Sequence, residues 1–274
     1  MKRFDPAELP PPQVHRLLLG GVSPRPIAFV GTQDAAGRVN LAPFSFFNAF
    51  GVNPAIICFS PAYNGRTGAP KDTFLNLLET KECTVSIVTY SMVEQMSLAS
   101  APYPKGDNEF EKAGFTPFAS EKVLPPGVAE SPFIMEAKLL QHVDFGAKPS
   151  SANLMICEVV LMHISERVFN ESEQIDPRLM DQVARMGGPF YTRAINGLFS
   201  LPQPSAVGAT FDLLPESIRH SAYLSGSDLA KLLTAPIEQL STQLSVSTSK
   251  EDHMAAKQFI EANDIAAAWR SLVK

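Results

Sequence analysis

The stretch Ser23–Phe47, SPRPIAFVGTQDAAGRVNLAPFSFF, constrains the fold more than any other. Ile27 to Val30 is a weakly alternating apolar run, the pattern of a buried strand. Asp34-Ala-Ala-Gly37 carries turn chemistry, with Gly37 free to take positive φ. The return segment Asn40–Phe47 contains Pro43, which has no N–H to give to a ladder. The chain there must therefore follow a sheet edge or pass through a bulge. This segment interleaves amide, hydroxyl and phenyl groups, which suits a flat aromatic ligand with a polar tail.

Strand signals continue along the chain. Ala55–Phe59 is a continuous apolar run, Thr84–Thr89 alternates, and long apolar segments cover Phe133–Val143 and Leu154–Ile164. Helices interrupt them. DPAELPPP at 5–12 reads as a stiff, extended lead-in to a short helical turn at Val14–Leu19. A helix opens at Lys71-Asp-Thr73, with Asp72 as its N-cap and Leu75 and Leu78 on the buried face. Residues 92–114 predict two short helices around a Pro/Gly loop, 117–131 a Pro-rich linker, and Asp181–Met186 a short helix. The short links imply about six mostly antiparallel strands, which suits a small barrel. Beyond about residue 200 the texture changes to a linker, LPQPSAVGATFD, and then capped helical patterns over Pro215–Ser221, Ser227–Thr234 and Asp252–Leu272. In the last of these, Ile265, Trp269 and Leu272 share one face. The predicted organisation is a domain over 1–204 and a helical extension over 205–274. The extension's apolar face needs cover, as packing over the first domain or as a docking surface for a partner.

A chain of 274 residues that is 45% hydrophobic and 19% charged can build a real core. Its net charge of −5 argues against nucleic-acid binding. No apolar run reaches about 18 residues, so no membrane span is expected, and the N-terminus lacks a signal-peptide core. Cys58, Cys83 and Cys157 sit apart in apolar segments, as reduced thiols of a cytoplasmic protein do, and no ligand spacing suggests a metal. Dinucleotide, P-loop, nucleophile-elbow and zincin motifs are absent. The five histidines are scattered and read as structural.

Three places carry chemical potential. Thr32, Asn40, Ser45 and the backbone at Pro43 lie on adjacent strands. Arg66, Thr67, Lys71 and Thr73 flank a helix start, where cations, hydroxyls and free N–H groups make a phosphate site. Arg185 precedes Gly-Gly-Pro-Phe-Tyr191, where glycines allow close approach and Tyr191 offers a flat ring with a polar tip. Each place alone also admits an ordinary turn, cap or core reading.

Taken together, SPRPIAFVGT, D..G..NLAPFSFF, NP…..FS and KDT..N resemble the flavin reductase-like, FMN-binding split-barrel family. EFEKAGFTP, VAESPFIMEAKL, ICEVVLMHI and VARMGGPFY extend the likeness over about residues 13–195. The match is to the branch that includes flavoredoxins and reductase components of nitrilotriacetate monooxygenase. Cys83 and Ser86 depart from it, replacing an aromatic residue and an Asn of one strand. The resemblance implies a mainly β fold, a six-stranded antiparallel Greek-key split barrel, paired as a homodimer with FMN near the interface. It implies that Asn40, Ala42, Pro43, Ser45 and Phe46 line the flavin, with Thr32 and Ser60 nearby. Lys71, Asp72 and Thr73 fall at its phosphate or ribityl end, and Tyr191 approaches from the partner subunit. Arg66 as a phosphate ligand follows from spacing alone. The expected activity is an NAD(P)H:FMN oxidoreductase in which NADH or NADPH is a transient donor. Electrons then pass to free flavin, oxygen or a partner monooxygenase. No catalytic acid, base or nucleophile is required, because the flavin carries the chemistry. Backbone N–H groups of a bulged strand are expected to bind its pyrimidine oxygens. An FMN electron carrier is the alternative, and a haem-binding barrel ranks last for want of an axial ligand.

Overall fold

The structure is a computed structural model and describes residues 1–201, 210–235 and 245–273. It divides into two compact units, Met1–Leu198 and Phe199–Lys274. In the first, a helix α1 (Pro11–Gly21) precedes strands β1 (Ala28–Gln33), β2 (Val39–Phe44), β3 (Phe47–Val52) and β4 (Ala55–Phe59). Helix α2 (Asp72–Thr80) and strand β5 (Glu82–Ile87) follow, then the short helices α3 (Val93–Ala99) and α4 (Glu109–Ala113). A two-residue ribbon, β6 (Pro117–Phe118) with β7 (Gly127–Val128), leads into the long strands β8 (Phe133–Asp144) and β9 (Asn153–Ile164). Helix α5 (Pro177–Met180) and the ribbon β10 (Val183–Arg185) with β11 (Tyr191–Arg193) complete the unit's named elements.

The main sheet has seven strands in the order β2-β1-β5-β8-β9-β4-β3, and every pair in it is antiparallel. The sequence predicts about six. The difference arises at Ser45-Phe46, where the segment Asn40–Phe47 breaks into two strands. Its first half pairs with β1, whereas Phe47 onward pairs with β4 and carries a register shift between Ala49 and Gly51. The apolar run of β1 has a simple cause. Ala28 and Val30 enter one buried cluster with Phe59, Phe74, Leu77 and Met155. Ile27 and Phe29 enter another with Leu41, Met92, Met96 and Phe110. A strand covered on both faces loses the polar half of its alternation.

Pro43 stands on β2, an end strand of the sheet, in register opposite Phe29. The edge position satisfies its missing N–H, and no bulge is present there. Other local expectations change. Residues 5–12 are not simply extended: a 3₁₀ turn covers Pro6–Glu8, and α1 begins at Pro11, whose missing N–H costs nothing in a first turn. At α2 the N-cap is Lys71 and Asp72 is already helical; the buried side chains are Thr73, Phe74, Asn76 and Leu77, while Leu75 faces out. The helix expected over 181–186 is instead β10, preceded by α5, which Asp176 caps and left-handed Asp181 ends. Pairing with β11 and a bridge from Arg25 to Arg185 hold β10 extended.

The second unit contains α6 (Glu216–Arg219), α7 (Gly226–Leu232), α8 (Lys250–Glu261) and α9 (Ile265–Leu272) among its described residues. Ser225 and Asp228 form a reciprocal capping box on α7, and Ser249 and Asp264 cap α8 and α9. The pattern read over Asp252–Leu272 is thus two helices, broken at Asn263 with φ 61°. Trp269 and Leu272 are buried in this unit's own cluster with Ile218, Leu229, Leu232 and Ile260. The Trp269 indole N–H donates to the Leu232 carbonyl at 3.1 Å. The expected linker over 201–212 lies mostly outside the described residues. Among the described residues, no helix is long and apolar enough to cross a membrane.

Candidate functional site

A cleft of about 230 Å³ opens between the β2 edge and the start of α2. Asn40, Ala42 and Pro43 form one wall, and Lys71, Asp72 and Thr73 another. Ser100, Tyr103 and Glu109, from α4 and the chain after α3, close it. Six of the residues singled out in the sequence therefore meet here, from segments about thirty positions apart.

Side-chain amides tie the walls together. Asn40 Nδ2 donates to Thr73 Oγ1 at 2.9 Å and to Thr32 Oγ1 at 3.2 Å. Asn76 Nδ2 donates to the same Thr32 oxygen at 3.1 Å. Thr32 is fully buried, so it supports the wall from behind. Because the Thr73 oxygen accepts from Asn40, its own O–H is left to donate. No side chain caps α2, so the N–H groups of Asp72 and Thr73 are open to an anion, as is the Lys71 ammonium.

The strand edge differs from the expected row of donors. The Leu41 N–H points away from β1 and donates to Glu109 Oε2 at 3.0 Å. Two residues on, the backbone of Pro43 faces the same way and has no N–H. This part of β2 therefore offers carbonyl oxygens to the cleft. Glu109 is held above its usual carboxylate value, first by burial and then by the charges of Asp72 and Asp107, against hydrogen bonds from the Leu41 and Glu109 N–H groups.

A second cleft of about 160 Å³ shares Pro43 and Ser100 with the first and adds Ile27, Ser45, Met96, Arg185 and Tyr191. Tyr191 also borders a third, of about 430 Å³, with Tyr90, Val93 and Arg193. The Arg185 guanidinium lies 4.5 Å from the centre of the Tyr191 ring. Three sequence candidates stand apart from these clefts. Ser60 is buried, and its hydroxyl accepts from the Asn153 N–H at 3.2 Å. Phe46 is 43% exposed between β2 and β3. Arg66 is exposed in a loop organised by the Asn64 side chain. Sequence reading passed over Glu109 and Arg25. Both lie inside family-like segments, but their roles depend on groups far along the chain.

Comparison with known proteins identifies the family. Residues 20–184 match the flavin reductase like domain, and the chain belongs to that family. An uncharacterized protein of Halalkalibacterium halodurans is 37% identical over 207 residues, 74% of this chain and 97% of its own. Among solved structures, nitrilotriacetate monooxygenase component B from Bacillus cereus is 31% identical, with a TM-score of 0.69 over 73% of this chain and 98% of its own. The 2-nitrobenzoate 2-nitroreductase NbaA of Pseudomonas fluorescens is 27% identical, with a TM-score of 0.66 over 75% of this chain and 98% of its own. Flavoredoxin of Desulfovibrio vulgaris (Miyazaki F), 22% identical with a TM-score of 0.55, shares the fold over 66% of this chain and 91% of its own. Between about a quarter and a third of this chain thus lies beyond what matches each of these relatives.

Proposed function

We propose that the protein is an NAD(P)H-dependent FMN oxidoreductase whose flavin occupies the cleft between β2 and α2. The observation that carries this reading is the meeting of Asn40, Ala42 and Pro43 with Lys71, Asp72 and Thr73 around one cavity of about 230 Å³. The residue types fit the group. Lys71 and the uncapped start of α2 suit a phosphate dianion, and the Thr73 hydroxyl suits the phosphate or ribityl chain. Ala42 and Pro43 give a flat wall, and the β2 carbonyls accept from an N–H donor. FMN, when bound, supplies the exchange of electrons with a nicotinamide and with an acceptor. The chain's own work is to grip the phosphate, orient the ring and keep one face accessible.

In this reading the antiparallel sheet belongs to a split barrel, and the protein acts as a homodimer. Edge strand β3 supports pairing: Phe50 is 68% exposed and Val52 is 95% exposed, next to exposed Phe46. A cytoplasmic location fits the three free, buried cysteines. The similarity to a monooxygenase component supports an oxygenase as the electron acceptor. The test is an absorption spectrum of the purified protein with added FMN, followed by anaerobic NADH and then NADPH. Bound flavin that bleaches with either nucleotide is the expected result. Bound flavin that bleaches only with a reduced protein donor replaces the reductase with an electron carrier. No bound flavin overturns the cofactor assignment.

A further inference from the structure

The region around Arg25 concentrates positive charge without a counter-ion among the described residues. Arg25 is only 5% exposed, and its guanidinium donates to neutral oxygens alone: the carbonyls of Leu19 at 2.9 Å, Val22 at 2.6 Å and Met186 at 3.2 Å, and Ser45 Oγ at 3.4 Å. Its backbone exchanges hydrogen bonds with that of Arg185 at 2.9 and 2.8 Å, which sets a second guanidinium beside the first. Among the described residues, neither arginine forms an ion pair with a carboxylate. Burial first, and the Arg185 charge second, make the Arg25 cation harder to keep. A buried cation is normally balanced by an anion, and here none stands among the described residues.

Both charges bear on the cleft of about 160 Å³. Arg185 lines it directly, while Arg25 lies behind Ser45, which also lines it. Since the Ser45 oxygen accepts from Arg25, its O–H is left to donate into the cleft. The remaining walls are mostly flat or apolar: Tyr191, Pro43, Ile27 and Met96, with Ser100 as a further hydroxyl. A guanidinium and a hydroxyl in a cleft with mostly apolar or aromatic walls make a receptor for a carboxylate on a flat hydrocarbon body.

We infer that the Arg185–Ser45 cleft is a binding site for small flat carboxylates, adjoining the β2–α2 cleft through Pro43 and Ser100. The site deepens the oxidoreductase reading by naming the chemical class of small molecule brought beside the flavin. It rests on that reading for its purpose but not for its binding chemistry.

Benzoate is the probe and benzamide its uncharged control, each titrated into the full-length protein with and without saturating FMN and followed by saturation-transfer NMR. FMN binding is measured separately by quenching of flavin fluorescence. Benzoate is expected to bind at least about tenfold more tightly than benzamide. R185Q is expected to remove that preference and S45A to reduce it, while R185K retains part of it. Thermal melts check that each variant folds. Equal binding of the two probes, or undiminished benzoate binding by folded R185Q, overturns the inference. So does displacement of benzoate by FMN, which would give the cleft to the flavin. Failure of FMN to bind while benzoate preference persists overturns the cofactor reading and leaves this site standing.

Discussion

Asn40 donates its side-chain amide to the Thr73 hydroxyl at 2.9 Å, and this bond joins the edge strand of the sheet to the first turn of α2. The same amide bonds Thr32, so one side chain fixes both walls of the cleft from within. N40A leaves the buried Thr73 hydroxyl without its donor and Thr32 with the Asn76 amide alone. It is expected to cost about 1–3 kcal/mol in urea unfolding and to weaken FMN binding. Unchanged stability together with unchanged FMN affinity would remove Asn40 from this role.

Lys71 faces the cleft at the uncapped start of α2. K71A is expected to weaken FMN about tenfold, or about 1.4 kcal/mol, and to leave riboflavin, which lacks the phosphate, nearly unaffected. Titration by flavin fluorescence compares the two ligands. Equal losses for both would place Lys71 away from the phosphate.

Glu109 brings a carboxylate into a cleft assigned to a dianion. Its folded value lies above the ordinary 4.5, chiefly through burial. A raised carboxyl favours the fold most below its unfolded value, and that contribution is lost as pH rises through the folded value. At neutral pH the charged form therefore opposes both folding and an anionic ligand. E109Q keeps an acceptor for the Leu41 N–H and removes the charge. It is expected to melt no lower than the parent at pH 7 and to bind FMN more tightly. Weaker FMN binding by the folded variant would contradict this account.

Glu136 on β8 is fully buried and holds the 120–124 turn in place. It accepts from the N–H groups of Glu121 at 2.8 Å and Val123 at 3.1 Å, and from His163 Nε2 at 2.6 Å. Burial alone would raise its carboxyl. Hydrogen bonds from His163 and from the backbone of Glu121 and Lys122 outweigh burial and hold it below the ordinary 4.5. A depressed carboxyl stabilises the fold above its unfolded value, and that stability is lost as pH falls through the folded value. Melting temperature is expected to fall on acidification below about pH 4.5 in the parent and less steeply in E136Q, which starts about 2 kcal/mol less stable. Parallel acid limbs for the two proteins would show that other groups govern the transition.

Much of this was legible in the sequence wherever the cause is local. The apolar run Ile27–Val30, the turn at Asp34–Gly37, the strands at 55–59 and 133–143, and the helix opening beside Lys71 all follow from side-chain pattern and backbone preference over a few residues. Pro43 announced an edge or a bulge because its nitrogen carries no proton, and the fold takes the edge. Family-like segments named the family and six residues of the main cleft.

Tertiary structure decided the rest because pairing and burial act between distant parts of the chain. Nothing local shows that Asn40–Phe47 divides its two halves between β1 and β4, or that Val183–Arg185 is extended, since both outcomes depend on partner strands. Glu109 taking the Leu41 N–H, 68 residues away, turns the strand edge from donor to acceptor. Arg25 reaching the carbonyl of Met186 across 161 residues sets its guanidinium behind Ser45, in the same region as the Arg185 that lines the cleft. The sequence determined the class of ligand that a few neighbouring residues can hold. Only folding, by bringing remote polar groups into a low-dielectric space, decided which donors, acceptors and charges remain free to meet it.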